Sequence, residues 1–371
     1  MKYYLIAGER SGDLHGANLI KGIRKEDPSA QLRGWGGDLM EAAGMVLVEH
    51  YRNTAFMGFA EVVRNIFTIR KLITSCKKDI LAYQPDALIL IDYPGFNLRM
   101  AAFAQKHGIK VLYYISPKVW AWNEKRAWNI RKVVNRMYVI FPFEIEFYKK
   151  FDYEVEYVGN PLMDAIASFQ PDPAFRENHG LSDRPIIALL PGSRVQELKG
   201  MLATMVAVRD QFPDYEWVIA AVSSLDPELY RPYHNLPGVK IVFDRTYDLL
   251  NVASAALVTS GTATLETALF KVPEIVCYRT SNLSYQIAKR VIRVPYISLV
   301  NLIAGREMVR ELIQGEFNTV NLVDELRRIL PGGTKHQQLL ADYEELASLV
   351  GPPGASEKAG SRMVAEVRKN N

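Results

Sequence analysis

Tyr3-Tyr4-Leu5-Ile6-Ala7-Gly8-Glu9-Arg10-Ser11-Gly12-Asp13-Leu14-His15-Gly16 decides the fold class. A short apolar strand meets a glycine and a polar turn, and Leu14, Leu19, Ile20 and Ile23 then follow at helical spacing, which is how an α/β unit starts. Ligands of open parallel sheets gather at the carboxyl ends of strands, where helix amino termini offer free N–H groups to anions. The active cleft is therefore expected above this turn. Gly8, Gly12 and Gly16 are spaced G-x-x-x-G-x-x-x-G rather than G-x-G-x-x-G, which disfavours a nicotinamide enzyme.

The chain has 371 residues, 49% hydrophobic and 23% charged, enough for two cores of ordinary globular composition. A formal charge of +4 suits phosphorylated substrates or an anionic membrane surface and is far too small to argue for nucleic acid. Cys76 and Cys277 lie far apart and read as unpaired thiols in a reducing compartment. The apolar run near the amino terminus is too short for a signal peptide, and no stretch approaches bilayer-spanning length. A cytoplasmic protein is the expectation.

Strand and helix alternate through the first half. Gln31–Gly37 reads as a strand ending in glycines, Asp38–Ala43 as a helix and Val46–Val48 as a strand. From Ala55 to Lys78 the residues Phe59, Val62, Val63, Ile66, Phe67 and Ile73 share one helical face, with Arg64, Arg70, Lys71, Lys77 and Lys78 around it. This basic amphipathic helix either packs on its own sheet or lies on anionic lipid. The five apolar residues Ala87–Ile91 suit a strand buried on both faces. Asp92 follows at its carboxyl end, placed either to take a proton from a hydroxyl or to cap the next helix. After the strand Val111–Ile115 comes the aromatic turn Ser116-Pro117-Lys118-Val119-Trp120-Ala121-Trp122, whose tryptophans can stack on a sugar, pack on an acyl chain or fill space between domains.

The proline-rich stretch Phe169–Pro173 marks a domain boundary, giving domains over 1–168 and 169–350 and a last segment over 351–371. The second half restarts the pattern with the strand Pro185–Leu190 and the turn Pro191-Gly192-Ser193-Arg194, with Glu197 near the start of the next helix. A glycine, a hydroxyl and an arginine at a helix amino terminus suit a diphosphate, although a plain βα turn reads the same way. The strand Ala255–Thr259 enters Ser260-Gly261-Thr262-Ala263-Thr264-Leu265-Glu266, where donors at a helix start stand one turn from a carboxylate. One ligand could meet phosphate donors and a ribose-binding group there. Beyond Asn301 a basic, leucine-containing helical stretch is expected up to Pro331, with further helices over Leu339–Leu349 and Ser356–Lys369.

Taken together, Gly-Glu-Arg-Ser-Gly-Asp (8–13), Ile-Asp-Tyr-Pro-Gly-Phe-Asn (91–97), Tyr-Ile-Ser-Pro-Lys-Val-Trp-Ala-Trp (114–122), Leu-Leu-Pro-Gly-Ser-Arg (189–194), Ser-Gly-Thr-Ala-Thr-Leu-Glu (260–266) and Val-Asn-Leu-Ile-Ala-Gly-Arg-Glu (300–307) resemble the signature of the lipid-A-disaccharide synthase family across the whole chain. The resemblance implies two Rossmann-like domains with a cleft between them, the GT-B arrangement, and a carboxyl-terminal helix that crosses back to the first domain or is exchanged in a homodimer. It implies transfer from UDP-2,3-diacylglucosamine to 2,3-diacylglucosamine 1-phosphate, giving a β-1,6-linked disaccharide phosphate and UDP. By the same resemblance Asp92 matches the catalytic aspartate and Arg194 the essential arginine, and Glu266 and Asn301 match the nucleotide pocket. Gly192, Ser193, Ser260, Gly261 and Thr262 belong to the same nucleotide set. Glu9, Ser11, Asp13, Asn97, Ser116 and Trp120 are expected on the acceptor side. Gly95 departs from the pattern, since relatives can carry an acidic residue there, and this concentrates the chemistry on Asp92.

Such a transfer inverts the anomeric carbon in one displacement and needs a base plus charge or dipoles for the leaving diphosphate. The chain has no Asp-x-Asp and its six histidines are scattered, so neither a metal nor another cofactor is expected. Acylated substrates favour the lipid-facing reading of Phe59, Val62, Val63, Ile66, Phe67 and Arg70, hence a peripheral association with the inner face of the cytoplasmic membrane. The rival readings are a UDP-N-acetylglucosamine 2-epimerase and a non-catalytic nucleotide-binding peripheral membrane protein.

Overall fold

The computed structural model describes residues 1–53 and 66–369, and two compact units emerge, residues 1–167 with 351–371 and residues 168–350. In the first unit the described strands are β1 (Lys2–Ala7), β2 (Gln31–Gly36), β3 (Val46–His50), β4 (Ala87–Ile91), β5 (Lys110–Tyr114), β6 (Arg136–Val139) and β7 (Glu156–Tyr157). They form one sheet in the order β3-β2-β1-β4-β5-β6-β7, with every pair parallel. All five residues of β4 are buried, as expected of an apolar run covered on both faces. The chain winds away in opposite directions from β1 and β4, so the switch point of this doubly wound sheet lies between them. Ala7 pairs with Ile91, so Gly8 and Asp92 leave the sheet at the same level.

The helix Ala355–Arg368 belongs to this first unit and lies across the helix Arg10–Glu26. Ala359, Met363, Val364 and Val367 join Ile20, Ile23 and Leu5 in one core. The crossing is close because both helices present glycine: a Cβ on Gly22 would lie 2.8 Å from Glu357 Cα, and one on Gly360 would lie 2.7 Å from Ile23 N. Around that contact Arg368 donates to the Glu26 carbonyl, Lys25 pairs with Glu357, and Asp164 accepts from the N–H groups of Ala355 and Ser356.

The second unit repeats the plan with β8 (Ile186–Leu190), β9 (Glu216–Ala221), β10 (Val239–Phe243), β11 (Ala253–Thr259), β12 (Glu274–Tyr278) and β13 (Glu311–Ile313). The order is β10-β9-β8-β11-β12-β13, again with parallel pairs. Leu190 pairs with Val258 across the switch point, so the turns at 191–194 and 260–262 leave neighbouring strands side by side.

The stretch after Asn301 differs from expectation. The helix Leu299–Ala304 stops at Gly305, whose φ of +69° is a left-handed cap, and the chain then enters β13 before the helix Thr319–Ile329. The amphipathic stretch is helical over Ile66–Tyr83, burying Cys76 and Ile80 and exposing Arg70. Phe59, Val62 and Val63 lie outside the described residues, as do the side chains of Ile66 and Phe67.

Candidate active site

In the first unit, the end of β4 is built around a backbone that turns sharply. Asp92 and Tyr93 both adopt left-handed φ, +45° and +49°. Three contacts hold the turn: the Asp92 N–H donates to the Tyr114 carbonyl (3.0 Å), and the Asp92 carbonyl accepts from Tyr113 Oη (2.6 Å) and Asn97 Nδ2 (2.7 Å). Strain of this kind persists only where the surroundings over-determine it, as they do here. Gly8 leaves room for the Tyr93 ring, since a Cβ would lie 2.2 Å from its Cδ1. Tyr93 and Trp35 each stack on Phe96, with ring centroids 5.8 and 5.0 Å from it.

The Asp92 carboxyl is raised to about 6, chiefly by burial, with the negative charge of Glu9 adding to the effect and Lys118 opposing it. Such a group is a carboxylate at neutral pH and sits close enough to the working range to accept a proton. Glu9 and Ser11 stand exposed at the start of the helix Arg10–Glu26.

Four residues expected on the acceptor side are buried and make hydrogen bonds within the protein. Asp13 is buried and accepts from the N–H groups of Gly37, Leu39 and Met40, capping the helix Asp38–Ala42. Asn97 is wholly buried, and its amide donates to the ends of β1 and β4, at the carbonyls of Ile6, Ile91 and Asp92. Ser116 is buried 2.7 Å from Tyr148 Oη. Trp120 is buried too, its indole N–H donating to Glu144 Oε1 at 3.2 Å. Glu144 also accepts from the N–H groups of Ile140 and Phe141, and burial pushes its carboxyl up to about 7. Most of these polar groups are paired within the protein, where an unpaired one costs about 1–3 kcal/mol, but Asn97 Oδ1 is buried without a hydrogen-bond partner among the described residues. His15 is held neutral, burial lowering it to about 4.

In the second unit, Gly192 takes a φ of +101°, and Glu197 curls back over the turn. Its Oε2 accepts from the N–H groups of Ser193 (3.1 Å) and Arg194 (3.2 Å), and its Oε1 pairs with Arg194 Nη1 at 2.7 Å. An anion of the protein's own therefore occupies the donors the sequence offered to a diphosphate. The Arg194 side chain is 74% exposed, and an exposed pair of this kind contributes only about 0–1 kcal/mol, so an incoming anion can displace it.

Across the switch point, Gly261 and Thr262 are exposed at the start of the helix Thr262–Leu269, and Ser260 Oγ donates to the Ile297 carbonyl at 2.8 Å. Glu266 accepts from Tyr247 Oη at 2.7 Å, and burial raises its carboxyl while that bond opposes the rise. Asn301, expected to line the nucleotide pocket, is fully buried and fully bonded. Its Nδ2 donates to Val309 O and Glu311 Oε1, and its Oδ1 accepts from the N–H groups of Met308 and Val309. Glu311 also gathers the N–H groups of Ile297 and Ser298 and the Ser298 hydroxyl. Asn301 and Glu311 thus fix Ile297, and Ile297 fixes Ser260.

Glu197, Tyr247, Glu311 and Glu144 were not singled out for these roles from the sequence. Only Glu197 carried a local signal, an acid three residues past the turn. Among the described residues no group of three or more His, Cys, Asp or Glu is placed to hold a metal.

A family model described as lipid-A-disaccharide synthetase matches residues 3–360. A relative from Geobacter metallireducens, named lipid-A-disaccharide synthase, is 37% identical over 370 residues, covering 95% of this chain and 94% of that protein. One of the same name from Syntrophotalea carbinolica is 39% identical over 373 residues, covering 98% and 94%. Among solved structures, UDP-GlcNAc 2-epimerase from Neisseria meningitidis, bound to UDP-GlcNAc, superposes with a TM-score of 0.67 at 14% identity, covering 100% of each chain. That likeness is one of fold alone.

Proposed function

The chain belongs to the lipid-A-disaccharide synthase family, a family of glycosyltransferases, and from that premise we propose how its residues carry out the transfer. The acceptor is 2,3-diacylglucosamine 1-phosphate and the donor UDP-2,3-diacylglucosamine. The acceptor 6-hydroxyl oxygen attacks the anomeric carbon, the bond from that carbon to the diphosphate breaks, and UDP leaves with the bonding pair. Attack opposite an α-linked leaving group gives the β-1,6 linkage.

Asp92 accepts the hydroxyl proton. The observation that carries this assignment is its place: a desolvated carboxyl on a strained turn at the sheet's switch point, raised to about 6. Glu9 raises that value, and Glu9 and Ser11 are the exposed polar groups beside it for the acceptor.

Charge on the departing diphosphate is met in the second unit. The guanidinium of Arg194 and the N–H groups of Ser193 and Arg194 exchange Glu197 for phosphate oxygens, with Gly192 shaping the turn. Gly261 and Thr262 add the amino terminus of their helix, Ser260 positions that turn, and Glu266 accepts from ribose hydroxyls. These donors replace a metal clamp in this reading. Among the described residues no helix is long and apolar enough to cross a membrane. Access to acylated substrates is through peripheral contact with the inner face of the cytoplasmic membrane, made by the stretch carrying Phe59, Val62, Val63, Ile66, Phe67 and Arg70.

Assaying UDP release with the donor alone, the acceptor alone and both together tests the reading. Release only when both are present supports the transfer. Epimerised donor formed without acceptor would favour the chemistry of the fold neighbours instead.

A further inference from the structure

The helix Asn282–Val291 in the second unit belongs to no motif used above. None of its residues is buried, and Leu283 and Ile287 are 74% and 55% exposed, with Val291 and Ile292 at 40% each. At 100° per residue, Leu283, Ile287 and Val291 fall within one narrow arc, with Arg290 beside them and Lys289 further round. Tyr285 and Ala288 are partly covered and mark the side turned toward the unit. Lys289, Arg290 and Arg293 are exposed and form no ion pair among the described residues. Residues 275–306 contain no acidic side chain at all.

An apolar ridge flanked by cations that form no ion pair among the described residues, in a stretch of chain without an acidic residue, has the chemistry of a helix that lies at a lipid surface. Interior packing does not explain it, because the apolar side chains point to solvent. A solvated face does not explain it either, because such faces do not gather leucine, isoleucine and valine on one arc.

We infer that the helix Asn282–Val291, with Ile292 and Arg293, is a membrane-docking element of the second unit that sits on an anionic bilayer, its apolar ridge among the lipids and its cations at the headgroups. This rests on the proposed reading only in that the substrates are lipids. The nucleotide-binding unit then has its own hold on the bilayer, independent of the first unit's amphipathic stretch.

The test uses the full chain and three variants: Leu283→Ser with Ile287→Ser, Lys289→Gln with Arg290→Gln and Arg293→Gln, and Phe59→Ser with Phe67→Ser. Vesicles of phosphatidylethanolamine with phosphatidylglycerol are compared with pure phosphatidylcholine vesicles by co-flotation, and turnover is measured on detergent-dispersed substrates. Each cation removed should weaken binding to the anionic vesicles about fivefold, and the apolar pair should weaken it about tenfold or more. Neither effect should depend on the first-unit variant, and turnover in detergent and the melting temperature should stay at the native values. Unchanged vesicle affinity in both second-unit variants overturns the inference. It is equally overturned if affinity holds while turnover in detergent falls, which assigns the ridge to an acyl chain, or while the oligomeric state changes, which assigns it to a second copy. Loss of turnover by the unmodified protein would instead count against the proposed function and leave the vesicle result to stand by itself.

Discussion

The base role proposed for Asp92 requires the ionised carboxylate, and burial and Glu9 hold its carboxyl at about 6. Activity should therefore rise with pH through about 6 and level off above it, because the protonated form accepts nothing. Glu9→Gln removes the charge that adds to the rise, so the acid limb of the kcat/KM profile should move to lower pH. A limb that stays in place would remove Glu9 from the account. The same group bears on stability. A carboxyl whose folded value is raised binds its proton more readily in the native state, so it stabilises the fold at low pH and this contribution is lost as pH climbs from about 4 toward 6. Asp92→Asn should accordingly be more stable than the native chain at pH 8 by about 3 kcal/mol, and nearly equal to it at pH 4, in thermal melts at the two values. At this scale the sequence is half legible. It exposes residue types, and Asp92 and Arg194 stand where those types suggest. It does not say whether a polar side chain faces a ligand or the backbone, and Asp13, Asn97, Ser116 and Asn301 all turned to the protein itself.

Strands β4 and β8 were readable as runs of five apolar residues, because burial on both faces leaves no polar position to disguise them. The turns that follow were readable for the same reason, as the places where polarity resumes. Strand β13 was not: it is three residues long at the sheet edge, and its first residue, Glu311, is a carboxylate bonded to Ile297, Ser298 and Asn301. Three residues, Glu-Leu-Ile, carry too little pattern to tell a strand from a helical turn. The cost of undoing that knot is an element-scale prediction. Asn301→Ala leaves the N–H groups of Met308 and Val309 and the carbonyl of Val309 without partners, and should destabilise the protein by about 2–4 kcal/mol in urea unfolding. Wild-type stability with impaired UDP binding would return Asn301 to the nucleotide pocket. The last helix follows a separate rule. Its crossing depends on Gly22 and Gly360, so Gly360→Leu should force Ala355–Arg368 off its partner and lower the melting temperature.

The two units share one plan, a doubly wound parallel sheet with a polar turn at its switch point. In the proposed reaction the first supplies a desolvated acid and the second a set of anion donors. This division was legible in the sequence because each half restarts with an apolar strand and a glycine turn. The membrane contact proposed for the first unit was legible only as amphipathic periodicity, which does not tell lipid from core, and the helix Asn282–Val291 is only ten residues long, too short a pattern to stand out. For the first unit, Phe59→Ser with Phe67→Ser should reduce flotation with anionic vesicles about tenfold or more, and unchanged flotation would place that stretch against its own sheet.

The central claim is an inverting glycosyl transfer with Asp92 as base. It is tested most directly by incubating wild type and Asp92→Asn with both diacylglucosamine substrates at pH 8 and following the disaccharide phosphate by mass spectrometry. The account predicts product with equimolar UDP from the wild type, and a rate lower by about 10²–10⁴-fold in the variant with UDP affinity retained. Product formed by Asp92→Asn at the native rate would contradict it.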